Sequence, residues 1–162
     1  MKVRPATGAD AAQIAAIYNH YIATSVITFE ESPVEPDEMA RRIADVQAMA
    51  FPWLVAEREG AVAGFAYGNK WKVRAAYRHS SEITVYVRTG LLASGVGSSL
   101  YAELLPMLKG IGIHAAIGGI ALPNDASVRL HEKLGFRKVA HFEEVGFKFN
   151  RWVDVAYWQK RL

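Results

Sequence analysis

Apolar positions along the chain recur with two different periods, and the changes of period divide it into elements. Val3 to Ala6 reads as a short strand, with Thr7 or Asp10 placed to cap a helix. Ala11, Ile14, Ala15, Tyr18, Tyr21 and Ile22 then recur at helical spacing. Asn19 and His20 put polar groups at that helix's end, which fits termination at a solvent edge as well as a ligand role. Thr24 to Glu31 is a connection anchored by Phe29. A second helix is predicted after Pro36, burying Met39, Ile43 and Val46 and stopping before Pro52.

Trp53–Ala56 and Ala61–Tyr67 are predicted strands joined by a hairpin turn at Glu59-Gly60. Further on, Glu82, Thr84 and Tyr86 alternate with Ile83, Val85 and Val87, the period of a strand. A helical pattern led by Leu100, Leu104 and Leu108 follows. His114 to Leu122 is an almost unbroken apolar run, as in a strand buried on both faces. Pro123 ends it, Asn124 is placed as the N-cap of the next helix, and Gly135 closes that helix. Arg137–Phe149 and Arg151–Tyr157 form a last pair of strands around Asn150. Without repeats or linkers, this order predicts one α/β domain with a mixed sheet over residues 1–162.

The turn between the Glu82 strand and the Leu100 helix carries Gly95 and Gly97. Amides in a helix's first turn lack intrahelical acceptors and the helix dipole favours negative charge there, so this turn suits a phosphate. Glycine lets the backbone come close to one. Such a turn also arises purely from packing.

Composition changes this picture little. A net charge of +3 is too mild to indicate nucleic acid, though it suits an anionic cofactor. There is no cysteine, hence no disulfide framework, thiolate metal site or cysteine nucleophile. The opening Met-Lys-Val-Arg-Pro-Ala leads into structure rather than a signal core, and no apolar run approaches the roughly 20 residues needed to cross a bilayer. A cytoplasmic protein without a membrane or metal partner is expected.

Glu82 heads an otherwise apolar strand, where partial burial would raise its pKa toward that of a base useful near neutral pH. Its alternative is a surface glutamate at a strand end. His131 lies seven residues after Asn124 and projects from the same helical face, either as a proton donor or as a satisfied, partly buried histidine. Asn69 to Ser80 holds Lys72, Arg74, Tyr77, Arg78 and His79 just before the Glu82 strand. It reads as a solvated loop or as the lining of a small anionic substrate.

The pairing of E-I-T-V-Y-V-R-T-G-L-L-A-S-G-V-G-S-S-L-Y (82–101) with A-L-P-N-D-A-S-V-R-L-H-E-K-L-G-F (121–136) resembles the GNAT superfamily of acetyl-CoA-dependent N-acetyltransferases. The segments I-Y-N-H-Y-I (17–22), W-K-V-R-A-A-Y (71–77) and G-F-K-F-N-R-W-V-D-V (146–155) extend the resemblance to its phosphinothricin and methionine sulfoximine branch. It implies a mixed, mostly antiparallel sheet flanked by helices, and acetyl transfer to the amine of a small amino-acid-like molecule such as phosphinothricin, methionine sulfoximine or methionine sulfone. Glu82 would be the base and His131 the acid for the leaving thiolate. The pyrophosphate would lie over Ser94, Gly95, Val96, Gly97, Ser98 and Ser99. The pantetheine arm would run beside Val85, Tyr86 and Val87, with Asn124 and Ser127 also touching the cofactor. Lys72, Arg74 and Tyr77 would line the amino-acid site, and the assembly would be a homodimer.

One position departs from the pattern Gln/Arg-x-x-Gly-x-Gly/Ala. Leu92 stands where the family carries Gln or Arg, so a side-chain contact to phosphate is lost or comes from elsewhere. Two other readings remain open: an acetyltransferase for another small amine or a protein N-terminus, and a CoA-binding regulatory module without catalysis.

Overall fold

The computed structural model describes residues Met1–Leu162. Seven strands form one sheet in the order β1-β2-β3-β4-β5-β7-β6. The strands are β1 (Lys2–Pro5), β2 (Trp53–Arg58), β3 (Ala61–Lys70), β4 (Ser80–Val87), β5 (Ala115–Ala121), β6 (Arg137–Lys148) and β7 (Arg151–Arg161). Four helices accompany them: α1 (Ala11–Thr24), α2 (Pro36–Ala48), α3 (Val96–Gly110) and α4 (Asp125–Lys133). All neighbouring strands are antiparallel except β4 and β5, as the resemblance implies for a mixed sheet.

The alternation of side chains sorts the two faces. Trp53, Phe65, Tyr67 and Tyr86 stack on one face, where Tyr86 meets Tyr18 and Tyr21 of α1. Residues one position out of phase face α3. There Gly64 and Gly68 let the helix approach, since a Cβ would come within 2.8 Å of Val96 Cγ1 at Gly64 and 2.7 Å of Leu108 Cδ2 at Gly68. Leu100, Leu104 and Leu108 of α3 are fully buried against this face. Glu82, Thr84 and Tyr86 share the α1 face, because Glu82 pairs with Asn69, Thr84 with Tyr67 and Tyr86 with Phe65.

Most predicted elements are present with small shifts at their ends. Glu59 and Gly60 both have positive φ, as a two-residue hairpin turn requires, and so do Phe149 and Asn150. The first helix ends slightly beyond its predicted Ile22. It runs on through Asn19 and His20 to Thr24, because Asn19 does not end the helix but reaches outward to Val34, accepting from its N–H at 2.8 Å and donating to its carbonyl at 2.9 Å. His20 is exposed. β5 departs from expectation: Gly119 is open to solvent, so this strand is not buried on both faces.

Candidate active site

The parallel pairing of β4 with β5 has only three rungs, Ser80–Ala115, Ser81–Ala116 and Glu82–Ile117. β4 continues to Val87 and β5 to Ala121, but apart. Arg88 N–H donates to Ala63 of β3 and Trp71 N–H to Ser80 carbonyl, which fixes the alternation: even-numbered residues of β4 turn their main chain toward β3. Ile83, Val85 and Val87 therefore turn theirs to the opening. The Val87 carbonyl is taken by the Tyr21 hydroxyl. Val85 keeps both main-chain groups free for an added strand, whereas the Tyr86 amide faces β3.

Two cavities meet at this split. The larger, about 640 Å³, is walled by β4, β5, the 91–98 turn and α4. The smaller, about 530 Å³, is lined by Ile27, Phe29, Trp71, Lys72, Phe142, Val145, Val155 and Tyr157. Ile27, Phe29, Glu82, Gly119 and Ala121 belong to both. Glu82 is the single ionisable group among these shared residues. Burial pushes its carboxyl above the usual carboxylate range, and the Lys72 ammonium pulls part of the way back. Tyr157 stands near enough to Glu82 for that carboxylate, after burial, to raise its own phenol.

The turn at 91–95 leaves the N-terminus of α3 open to the cleft. Ala93 and Gly95 both have positive φ, and Gly95 is the residue before α3. Ser99 N–H closes onto Gly95 carbonyl at 3.0 Å, and no protein acceptor takes the N–H groups of Val96, Gly97 or Ser98. Gly95 is needed for its backbone conformation. Gly97 is small for a different reason: a Cβ there would lie 3.0 Å from Leu130 Cδ2, so it lets α4 close against α3. Ser94 and Ser99 stand outside the cleft wall, Ser94 Oγ donating to Leu91 carbonyl. Leu92 is exposed at the cleft mouth, and two cations of α4, Arg129 and Lys133, line the same cleft.

Asn124 caps α4, its side chain accepting from Ser127 N–H at 3.2 Å, and both residues face the cleft. His131 is only 3% exposed and lies at the cleft's inner wall. Its Nδ1 sits 2.8 Å from Ser127 carbonyl, which can only accept, so the proton of the neutral ring is on Nδ1. Nε2 then accepts from Tyr101 Oη at 3.4 Å. Burial lowers the pKa of the ring, which favours this neutral state. Nε2 points inward, to buried Tyr101 and Gly118, whereas Nδ1 and its proton lie beside Ser127, a residue of the cleft wall. Gly118 of β5 makes the space: its Cβ would lie 2.5 Å from Nε2.

The structure separates Lys72, Arg74 and Tyr77 of the 69–80 segment. Lys72 lines the smaller cavity and lies over the Trp71 ring, 4.8 Å from its centroid. Arg74 and Tyr77 are exposed and line neither cavity. The residues that shape the smaller cavity were largely unflagged by sequence. Ile27, Phe142, Val145 and Val155 look like any core residue, and Phe29, the anchor of its connection, is also a cavity wall. Gly118-Gly119 within a strand was the one available signal, since paired strand glycines mark a close approach.

Residues 3–157 match the acetyltransferase (GNAT) domain. The chain belongs to the GNAT acetyltransferase family. Phosphinothricin N-acetyltransferase from Streptomyces viridochromogenes is 44% identical over 160 residues, covering 99% of this chain and 87% of that one. An L-methionine sulfoximine/L-methionine sulfone acetyltransferase from Salmonella typhimurium is 34% identical over 162 residues, covering 100% of this chain and 95% of the relative. A phosphinothricin acetyltransferase from Sinorhizobium meliloti, solved in complex with acetyl-CoA, superposes with a TM-score of 0.96 at 34% identity, covering 99% of this chain and 88% of that one.

Proposed function

We propose that this GNAT chain moves the acetyl group of acetyl-CoA to the free amine of a small amino-acid-like molecule, with phosphinothricin, methionine sulfoximine and methionine sulfone as first candidates. The observation that carries the reading is the position of Glu82, at the one place where a cleft with free helix-terminal amides meets a separate small pocket. Bound acetyl-CoA would supply an activated thioester acetyl group. Glu82 accepts the proton that the attacking amine must lose, and its raised pKa suits that task near neutral pH. Val85 N–H, facing the cleft, is placed to donate to an oxygen on which negative charge develops. The N–H groups of Val96, Gly97 and Ser98 hold phosphate, and Lys72 attracts the acceptor's carboxylate.

Support for His131 as the thiolate's acid is weaker than for Glu82 as the base, because its one proton is engaged by the Ser127 carbonyl. A homodimer acting in the cytoplasm completes the reading. Phe142, Val145, Phe147, Phe149 and Trp152, each at least 51% exposed on the β6–β7 hairpin, form an apolar surface of the kind a subunit contact covers. No helix is long and apolar enough to cross a membrane. The test is thiol release from acetyl-CoA across a panel of amino acids, small amines and peptides. Release with the amino acids alone supports the reading, and no release with any amine overturns it.

A further inference from the structure

The segment between α1 and α2 supplies Ile27 and Phe29 to both cavities, yet it has no regular secondary structure of its own. Its later part is tied to the helices: Thr28 Oγ1 lies 2.8 Å from Tyr18 Oη, and Glu30 pairs with Arg42 at 2.7 Å. The arc from Ser25 to Phe29 starts from α1, where the Ser25 N–H and Oγ both donate to Tyr21 carbonyl at 3.0 Å, and its other side is held by β6, a strand distant in sequence. Lys148 is 2% exposed, and its Nζ donates to Ser25 carbonyl and to Thr28 carbonyl, each at 2.8 Å. Two residues earlier on the same face of β6, Gly146 receives the Phe29 ring, and a Cβ there would lie 2.3 Å from Phe29 Cζ.

A buried lysine is unusual, and this one has no carboxylate within ion-pairing distance. Burial pushes its pKa down, with only the more distant Glu31 opposing. A methionine would fill nearly the same space without that desolvation cost. What the ammonium adds is direction: it holds two carbonyls three residues apart, and so fixes the path of Val26 and Ile27 between them. Gly146 then sets how deeply the next aromatic ring can sit.

We infer that Lys148, with Gly146 beside it, is a positioning residue of the acceptor site: it holds Ser25–Phe29 so that Ile27 and Phe29 form the wall shared by the pocket and the cleft, and thereby sets which amine fits. The inference rests on the acetyltransferase reading for its consequences in turnover, but not for its structural content.

Two variants test it in the full-length protein. Lys148→Met keeps length and removes the donors. Amide hydrogen exchange across 25–29 should speed up while the 96–108 amides of α3 stay as in the parent. The Michaelis constant for the best amine should rise about tenfold, on the scale of one lost charge-assisted restraint. The dissociation constant for CoA should stay within about twofold, and both measurements are made well below the melting temperature. Gly146→Ala moves Phe29 without touching the ammonium. It should change the ratio of kcat/KM between a small and a bulky amino acid about fivefold or more, since a pocket discriminates roughly tenfold or more per methylene. Unchanged exchange at 25–29 in Lys148→Met overturns the inference, as does an equal rise in the amine and CoA constants. If Lys148→Met fails to fold, the Gly146→Ala ratio decides alone, and an unchanged ratio overturns it. If the parent acetylates no amine, the proposed function falls, and the exchange result still decides whether Lys148 holds the wall.

Discussion

Glu82 and Ile117 form the last rung between β4 and β5, and the sheet opens immediately beyond them. The carboxylate therefore sits at the apex of the split, on the α1 face, where the two cavities join. Its partial burial and its place in the walls of both cavities have the same cause. Glu82→Gln should lower turnover roughly 10²–10⁴-fold at neutral pH while CoA binding, measured by calorimetry, is unchanged. Unaltered turnover would remove Glu82 from the chemistry.

Lys72 opposes the rise in the Glu82 pKa, so its removal has a predictable sign. In Lys72→Met the ascending limb of the kcat/KM profile should move to higher pH, because the carboxyl then loses its proton later. The same change should raise the Michaelis constant for a carboxylate-bearing amine far more than Arg74→Ala does. Only Lys72 lines the pocket, whereas the resemblance implies both residues there. A larger effect at Arg74 would mean that a second subunit or a moved loop brings it to the site.

His131 is held neutral, with its proton on Nδ1 toward Ser127 carbonyl. Its folded pKa is depressed below the ordinary value of about 6.5. The stability this contributes is fully present above that value and is lost as pH falls toward the folded pKa. The melting temperature of the parent should therefore drop on acidification below about pH 6.5, and His131→Gln should flatten that drop. Turnover in His131→Gln should fall less than in Glu82→Gln. A loss as large as that of Glu82→Gln would restore the acid role.

Arg129 and Lys133 line the same cleft as Leu92, the position that lacks the family's Gln or Arg. Arg129→Ala should weaken CoA binding about fivefold, the scale of an exposed charge contact near 1 kcal/mol. Leu92→Arg should restore it in that background and tighten it in the parent. If neither substitution changes the CoA dissociation constant, the main-chain amides of α3 hold the phosphates alone.

Gly118 gives His131 its space, with a virtual Cβ 2.5 Å from Nε2. Gly118→Ala should cost about 1–3 kcal/mol in chemical denaturation, because the ring must leave its contacts with Tyr101 and Phe136. A cost below that range would show that the ring can shift freely.

Local chemistry made part of this protein legible in its residues. The period-2 run at 82–87, the Gly95 turn, the Asn124 cap and the hairpin turns at Glu59-Gly60 and Asn150 each follow from neighbours within a few positions, where dihedral preference and side-chain alternation act directly. Glu82 stood out for the same reason, as a carboxylate opening an apolar strand. The rest depended on contacts between distant segments. β4 stays paired with β5 over three rungs only, and where two strands separated by α3 part company is not written in either one. The state of His131 is set by Tyr101, the Ser127 carbonyl and Gly118, and no period in the sequence reports which ring nitrogen faces a carbonyl. Arg74 and Lys72 are two residues apart and chemically alike, yet only the path of the 69–80 loop decides that one faces the pocket and the other solvent. The acceptor wall joins Phe29 to Gly146 and Ser25 to Lys148, residues more than a hundred positions apart, so that only the closed sheet brings them together.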